Sequence, residues 1–446
     1  MNLSVFKAYD IRGIYPTDIN KELAYEIGRA LADFLGCEKI AIGRDMRSSS
    51  EELFRALMQG VMDMGVNVVD LGLVSTDMLY FAVGKFGYGG GVMITASHNP
   101  TEYNGFKFCR ENAIPISSES GLFEMRDKIA AGSLKSVTEE EKGKMEKQDV
   151  LIDWIEHALS FVDISKIKPL RVVADAGNGM AGKVLPELPK HLSIELVSLY
   201  FELDGNFPNH HADPSREENL EDLKQKVLTE KADIGLAFDG DADRVFLVDE
   251  KGKVVNGTFM TAMIAKSLLK KFPGESVIYN LICGSVVPET VAALGGKPVR
   301  TRVGHSFIKE KMRSENVIFG GESSGHYYFR DNSYADSALI ASLLVLELMS
   351  VEGKKLSELT EEFDRYYLSG EINSEVENKE SKMKLLEEKY ADAEIDHLDG
   401  VTVKYPDWWF NVRPSNTEPL LRLNLEAVDA SLGKEKVKEV LELIRR

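Results

Sequence analysis

Three aspartates spaced two apart stand between two apolar runs: DGDADR at residues 239–244, with IGLAF before it and VFLVD after it. In extended backbone, positions i, i+2 and i+4 share one side. Asp239, Asp241 and Asp243 are therefore expected to converge, and three carboxylates in one place repel each other unless a cation joins them. Hard oxygen donors of this kind suit Mg2+, which takes a few carboxylates plus water or phosphate oxygens. A calcium-binding EF-hand is the rival, because Glu250 falls at the twelfth position of a loop that starts at Asp239. Its sixth position should be the glycine of a sharp turn but is Arg244, and the flanks read as strands rather than helices. A solvated turn is the plain alternative, and the apolar strands on either side speak against it.

A second run, TASHNP at residues 95–100, is followed by NGFK at 104–107. It comes directly after the strand-like GVMIT, so Ser97 sits where α/β sheets present their sites, beyond the carboxyl end of a strand. A serine hydroxyl becomes a nucleophile only when a base or a cation makes its alkoxide less costly. His98 and Lys107 are the nearby groups that could move that proton or balance phosphate charge. The alternative is an Asn-Pro turn with a structural serine. The GxSxG elbow of many serine hydrolases is absent around Ser97.

Two further loops offer binding chemistry. In GGESSGH (320–326), paired glycines permit close approach, while Glu322 and Ser324 provide acceptors and a donor suited to sugar hydroxyls. In RPSNTEP (413–419), Arg413 supplies a planar fork for phosphate oxygens, and Ser415, Asn416 and Thr417 add hydroxyl, amide and backbone donors. Each could equally be an ordinary turn. YDIRG (9–13) and RVGH (302–305) place Arg12 and His305 beside turn glycines, which is also consistent with plain loop chemistry.

These loops need elements to position them. Strand-like runs at 39–43, 67–71 and 91–95, at 170–174, 194–199 and 233–238, and at 276–280, 298–303 and 316–319 alternate with helical patterns such as 20–35 and 51–64. That alternation predicts three similar α/β domains with mixed sheets. The polar stretch 132–147 reads as a linker, 150–162 as the helix opening the second domain, and 251–257 as the close of that domain. From about residue 362 the pattern changes to strands at 401–405 and 420–426 and a helix at 433–446, a smaller α+β domain. The expected domains are 1–147, 148–252, 253–361 and 362–446.

Composition limits the classes. A chain of 446 residues is too long for one core, and its 43% apolar content is enough to fill several. A net charge of −18 argues against nucleic acid as a partner, since that needs a basic footprint. No apolar run reaches the roughly 18 residues that span a bilayer; the most apolar, 338–349, reads as a core helix. Cys37, Cys109 and Cys283 form no paired spacing and read as buried filler in a reducing, cytoplasmic setting.

Taken together, AYDIRG, TASHNP, DGDADR, GESSGH and RPSNTEP resemble the α-D-phosphohexomutase family, in its order and at about its spacing, across nearly the whole chain. The resemblance implies four domains around a central cleft, and turning an intermediate over within that cleft predicts that the C-terminal domain hinges. It implies that Ser97 is the phosphorylated serine and that Asp239, Asp241 and Asp243 hold Mg2+ together with the phosphoserine oxygen. Arg244 falls where a family arginine contacts the phosphoserine region. Glu322 and Ser324 match the readers of sugar hydroxyls. Arg413, Ser415, Asn416 and Thr417 match the loop that holds substrate phosphate. Tyr9, Arg12, His98, Lys107, His305 and His326 match further contacts and proton-transfer candidates.

The implied reaction interconverts hexose 1-phosphate and hexose 6-phosphate, with hexose 1,6-bisphosphate as intermediate and activator. The implied partners are small sugar phosphates, and the enzyme is a monomer or homodimer. SGEINSEV and PDWWFNVRPSNTEP look most like phosphomannomutases, including those that also act on glucose phosphates; phosphoglucosamine mutase is the alternative sugar specificity. Two departures stand out. Ser323 matches none of these subgroups well, and YNLICGS (279–285) lacks the basic phosphate contact of some relatives. The competing classes are a non-catalytic metal-binding module and a serine hydrolase.

Overall fold

The computed structural model describes residues 2–415 and 420–445. They form two compact units, one from the residues up to Asn256 together with Ser324–Ser357, the other from Gly257–Ser323 together with the residues from Glu358 onward.

In the first unit, the N-terminal sheet has strand order Ile11–Ile14, Tyr103–Arg110, Gly90–Ile94, Lys39–Arg44, Asn67–Leu73, Met145–Lys147. Lys39–Arg44 pairs in parallel with both of its neighbours, and Tyr103–Arg110 returns antiparallel to Gly90–Ile94. The β-branched runs IAI, VV and VMI are fully buried, as strands covered on both faces must be. Lys21–Leu35 and Ser50–Met62 pack closely because Gly28 and Gly60 leave no Cβ: one there would come within 2.2 Å of Leu57 O and 2.1 Å of Tyr25 O. Helix Thr76–Phe86 follows strand Asn67–Leu73, and its first turn proves important for the site.

The second sheet has order Val254–Val255, Val245–Asp249, Ile234–Phe238, Leu170–Asp175, Ile194–Leu199, with the last three parallel and Val245–Asp249 antiparallel to Ile234–Phe238. The hairpin Tyr327–Phe329 with Ala335–Asp336 and the helix Ala338–Glu352 complete this unit. That helix is buried around its whole circumference from Ala338 to Ser350, as its predominantly apolar sequence requires.

In the second unit, Ser276–Asn280 lies parallel to Lys297–Thr301 and to Phe319–Gly321. The C-terminal part is an antiparallel sheet in which Leu420–Ala427 pairs with Trp408–Pro414, Ile372–Glu375 and Tyr367–Leu368. One face of that sheet packs on Lys379–Lys389 and Ala430–Arg445 through Val401, Val403, Phe410, Leu421 and Leu423. The four-part α/β reading with a smaller C-terminal α+β portion holds.

Local expectations shift in three places. The strand placed at 316–319 is Phe319–Gly321, because Asn316 adopts a left-handed conformation (φ 51°) that ends helix His305–Glu315. The stretch 132–147 is more than a linker: Met145–Lys147 adds an exposed parallel edge strand beside Asn67–Leu73. The helix placed at 150–162 spans Leu151–Leu159. Among the described residues, no helix is long and apolar enough to cross a membrane.

Candidate active site

Strand Gly90–Ile94 runs out into TASHNP, and the chain returns as Tyr103–Arg110, which carries Lys107. Ser97 sits in the turn between them with φ 51°, a left-handed conformation costly for a residue with a Cβ and common at functional turns. Its Oγ donates to Asp239 Oδ2 at 2.7 Å and lies 3.2 Å from His98 Nδ1. Only 1% of Ser97 is exposed, so the hydroxyl is committed to this pairing rather than to solvent.

The three aspartates do meet, with carboxylate oxygens within 4.8 Å of one another. The expected means is corrected. The strand ends at Phe238, and DGDADR forms a turn in which Ala242 takes φ 59°, so the turn and not extended alternation gathers the acids. Gly240 lets this turn close on the loop that carries Ser97: a Cβ there would sit 2.6 Å from Ser97 O.

Two cations face the three acids. Lys107 Nζ reaches Asp241 Oδ2 at 2.7 Å and Asp243 Oδ2 at 2.5 Å, and Arg244 Nε lies 3.5 Å from Asp239 Oδ2. Burial, reinforced by Asp243 and Asp241, pushes Asp239 well above the usual carboxylate range. Asp241 is pulled the other way, because Lys107 overcomes the effect of its burial. Lys107 is itself buried, which disfavours its charge, yet Asp241 and Asp243 hold it well above an ordinary lysine, so it stays an ammonium. Oδ1 of Asp241 and Oδ1 of Asp243 are buried without a hydrogen-bond partner. Buried carboxylate oxygens left unmatched by donors, within one acidic cluster, fit a divalent cation.

Arg244 Nη2 donates to His98 Nδ1 at 2.7 Å. Its charge, with burial, drives the His98 pKa well below normal, so the imidazole is neutral and its Nδ1 lone pair is engaged by arginine. His98 is thereby a poor proton acceptor for Ser97, a role the sequence had left open to it. Arg12 arrives from strand Ile11–Ile14 and donates to Asn99 Oδ1 at 2.6 Å, which joins it to the TASHNP loop. Tyr9 lies half-buried in the bend just before that strand. In the GESSGH loop, Gly325 O accepts from Val245 N, which fastens the loop to the strand after the acids. Half-buried Ser324 precedes it. His326 Nδ1 lies 2.9 Å from Asp336 and 3.8 Å from Asp243.

The second unit carries the other predicted residues. Glu322 is buried and accepts from Asn280 Nδ2 at 3.1 Å. His305 opens the helix that begins after Gly304. Arg413 pairs with Glu371 at 2.7 Å, and Ser415 N donates to Leu420 O. Asn416 and Thr417 lie outside the described residues.

Several groups escaped sequence reasoning. Arg422 stands directly across the sheet from Arg413, and both contact Glu371, whose carboxylate separates two like charges that would otherwise repel. Lys379 Nζ donates to Ser415 O at 2.8 Å. These add two cations to the RPSNTEP strand ends. Thr76, in the first turn of its helix, donates Oγ1 to Asp241 Oδ2 at 2.5 Å and its backbone N–H to Asp241 O at 3.0 Å.

Beside Thr76, Asp77 is fully buried between the hydroxyls of Ser75 and Ser337, and burial pushes its pKa up to about 7. An unfolded chain releases this proton near 3.8. Folding stability is therefore greatest below that value and declines as pH rises through 7, by about 3 kcal/mol between pH 5 and pH 8 from this group. Asp77→Asn should remove that share of the pH dependence in urea unfolding. Parallel curves for the two proteins would show that Asp77 ionises normally.

The whole chain matches known proteins in the same order as these sites. Residues 3–134, 152–252 and 256–366 match phosphoglucomutase/phosphomannomutase alpha/beta/alpha domains I, II and III, and residues 371–443 match the C-terminal domain. The chain is 43% identical to the phosphohexose mutases of Xanthomonas campestris over 451 residues, covering all of both sequences. It is 39% identical to a phosphomannomutase of Escherichia coli over 453 residues, covering 99% of each. A crystal structure of a phosphoglucomutase/phosphomannomutase family protein from Burkholderia thailandensis superposes with a TM-score of 0.91 at 32% identity, covering 99% of this chain and 98% of that one. A buried serine hydrogen-bonded into a triad of aspartates, on a chain matched from end to end by all four domains, belongs to the phosphoglucomutase/phosphomannomutase family.

Proposed function

We propose that this protein is an isomerase that interconverts hexose 1-phosphate and hexose 6-phosphate by way of phospho-Ser97, with mannose phosphates as preferred substrates and glucose phosphates as secondary ones. The observation that carries this reading is the buried Ser97 Oγ, 2.7 Å from Asp239 within the aspartate cluster. A site built for a metal alone has no use for a strained, buried hydroxyl aimed at its ligands.

In the forward half-reaction the Oγ–P bond of phospho-Ser97 breaks and a P–O bond forms to the free hydroxyl of the hexose phosphate. The hydroxyl proton leaves to a base, and Ser97 retains the electron pair of the broken bond. The resulting hexose 1,6-bisphosphate then returns its other phosphoryl group to Ser97, so no phosphate ester is lost. The same bisphosphate primes an unphosphorylated enzyme. Asp239, Asp241 and Asp243 would hold Mg2+, which when bound supplies positive charge to the transferring oxygens.

Lys107, paired with Asp241 and Asp243 and held above an ordinary lysine by them, balances charge beside Ser97. Arg244 orients neutral His98 beside the serine. Phosphoryl transfer demands mainly positioning and charge stabilisation, and these residues provide both. Glu322 and Ser324 are assigned to the sugar hydroxyls, and Arg413, Ser415, Asn416 and Thr417, with Arg422 and Lys379, to the phosphate that stays on the sugar. Tyr9, Arg12, His305 and His326 are assigned supporting contacts. We assign 1–147, 148–252, 253–361 and 362–446 as the four domains of a cytoplasmic enzyme.

Two measurements test this. The peptide containing TASHNP should carry the mass of one phosphoryl group after incubation with hexose 1,6-bisphosphate and Mg2+. Assays with mannose, glucose and glucosamine phosphates should rank mannose first. Release of inorganic phosphate in step with substrate loss would identify a hydrolase instead, and a glucosamine preference would move the specificity to the alternative subgroup.

A further inference from the structure

Arg47 lies in the loop GRDMRSSS that follows strand Lys39–Arg44, fifty positions before the serine, and its side chain is wholly buried. A guanidinium has five N–H donors in a rigid planar fork. Four of them are matched one for one by main-chain carbonyls of the nucleophile turn. Nη2 donates to Ser97 O at 2.9 Å and to Asn99 O at 2.6 Å; Nη1 donates to Pro100 O at 2.7 Å and to Tyr103 O at 3.0 Å. The fifth side of the fork, Nε, faces the buried carboxylate of Asp45 at 3.3 Å, and Asp45 Oδ1 in turn accepts from Arg47 N at 3.1 Å and from Ser50 Oγ at 2.7 Å.

The flat face of the guanidinium is also occupied. Phe207 stacks with its ring centroid 5.0 Å from the Arg47 carbon. Phe207 belongs to the loop DGNFPNHH, which presses on the same backbone: a Cβ on Gly205 would come 2.5 Å from Arg47 Cα. That loop hydrogen-bonds to the segment beneath the aspartates, through Asn209 Nδ2 to Asn178 Oδ1, and Met180 N in that segment donates to Gly240 O. The residue thus touches, directly or through Phe207, both loops that the chemistry must hold together.

We propose that Arg47 is the positioning residue for the nucleophile: its fork fixes the four carbonyls that force Ser97 into its left-handed conformation, and its stack on Phe207 sets that turn against the aspartate loop. The proposal rests on the phosphoserine reading above. Lysine in its place keeps a buried charge for Asp45 but offers three donors from a single point, so it cannot serve four carbonyls in one plane.

The test is Arg47→Lys, assayed beside wild type for mutase kinetics, thermal midpoint and the rate at which hexose 1,6-bisphosphate phosphorylates Ser97. A folded Arg47→Lys protein should lose about 100-fold in kcat, as misplacement of a reacting group does. Its KM should stay within a few-fold, and phosphorylation of Ser97 should slow in proportion to kcat. Phe207→Leu keeps the four hydrogen bonds and removes the stack, and should give a smaller loss of the same kind. Wild-type kcat in a folded Arg47→Lys protein would overturn the proposal. So would a loss of kcat that only tracks the unfolded fraction, or one borne by KM. If wild type itself acquires no phosphate on Ser97, it is the functional reading that fails, and the crystal structure of Arg47→Lys still decides the clamp. An unmoved Ser97 backbone would refute it, and a shifted one would support it.

Discussion

Ser97→Ala stops mutase turnover, with kcat falling at least ~10^4-fold, the scale on which loss of a covalent nucleophile is felt. The same variant gains no phosphoryl mass on the TASHNP peptide. The fold should survive, because Ser97 Oγ meets the side chains of Asp239 and His98, while the conformation of the turn depends on its carbonyls. Burial and Asp243 push the Asp239 pKa up, and Arg244, with Nε 3.5 Å from Asp239 Oδ2, still faces that carboxyl when the hydroxyl goes. Thermal midpoints within a few degrees of wild type are expected. Residual turnover above ~1% in a preparation free of wild-type protein would mean that another group carries the phosphoryl, and Ser97 would be a structural serine after all.

The second large effect concerns Asp241. Its carboxylate accepts from Thr76 and Lys107 on Oδ2, while its Oδ1 is buried without a donor. Asp241→Asn replaces one charged ligand by an amide, whose N–H2 group has nothing to donate to in a cluster claimed by a cation. We expect kcat/KM to fall about 10^2- to 10^3-fold, comparable to removal of one electrostatic stabiliser from a transition state. Calorimetric titration with Mg2+ should lose its binding heat, which separates this effect from a change in sugar recognition. Breaking a buried ion pair usually costs about 3–5 kcal/mol of stability. Here the balance differs. Three aspartates face Lys107 and Arg244, so removal of one acid leaves two against two, with Lys107 still paired to Asp243. The variant should therefore be no less stable than wild type in EDTA, and only in Mg2+ should wild type gain the advantage. Undiminished Mg2+ affinity in Asp241→Asn would remove this residue from the ligand set.

What the sequence revealed and what it concealed have physical causes. Strands such as IAI at 40–42 and IGLAF at 234–238 were legible because burial on both faces demands a continuous apolar run. Met145–Lys147 was not, since all three residues are exposed and the strand exists only by main-chain pairing at an edge. The proximity of Ser97 to the three aspartates was anticipated from motifs at strand ends, although a turn and not extended backbone gathers the acids. Arg47 was not, because it acts on carbonyls fifty residues away, which any side chains could present. Glu371 and Arg422 were hidden similarly: they meet Arg413 only through the register of an antiparallel sheet, which no single stretch of sequence specifies. The chance that Asp241 would be steadied by a threonine 165 positions earlier was equally out of reach.

The return of Ser324–Ser357 to the first unit has a bearing on how the protein is made. Trp154 and its helix, the strand Val245–Asp249 and the helix carrying Thr76 all pack on elements that leave the ribosome only after the intervening Gly257–Ser323 segment. A nascent chain of 256 residues consequently presents an apolar trough where Ala338–Glu352 belongs. At roughly 5–20 residues added per second, that trough stays open for several seconds, an interval in which a chaperone or a neighbouring nascent chain can occupy it first.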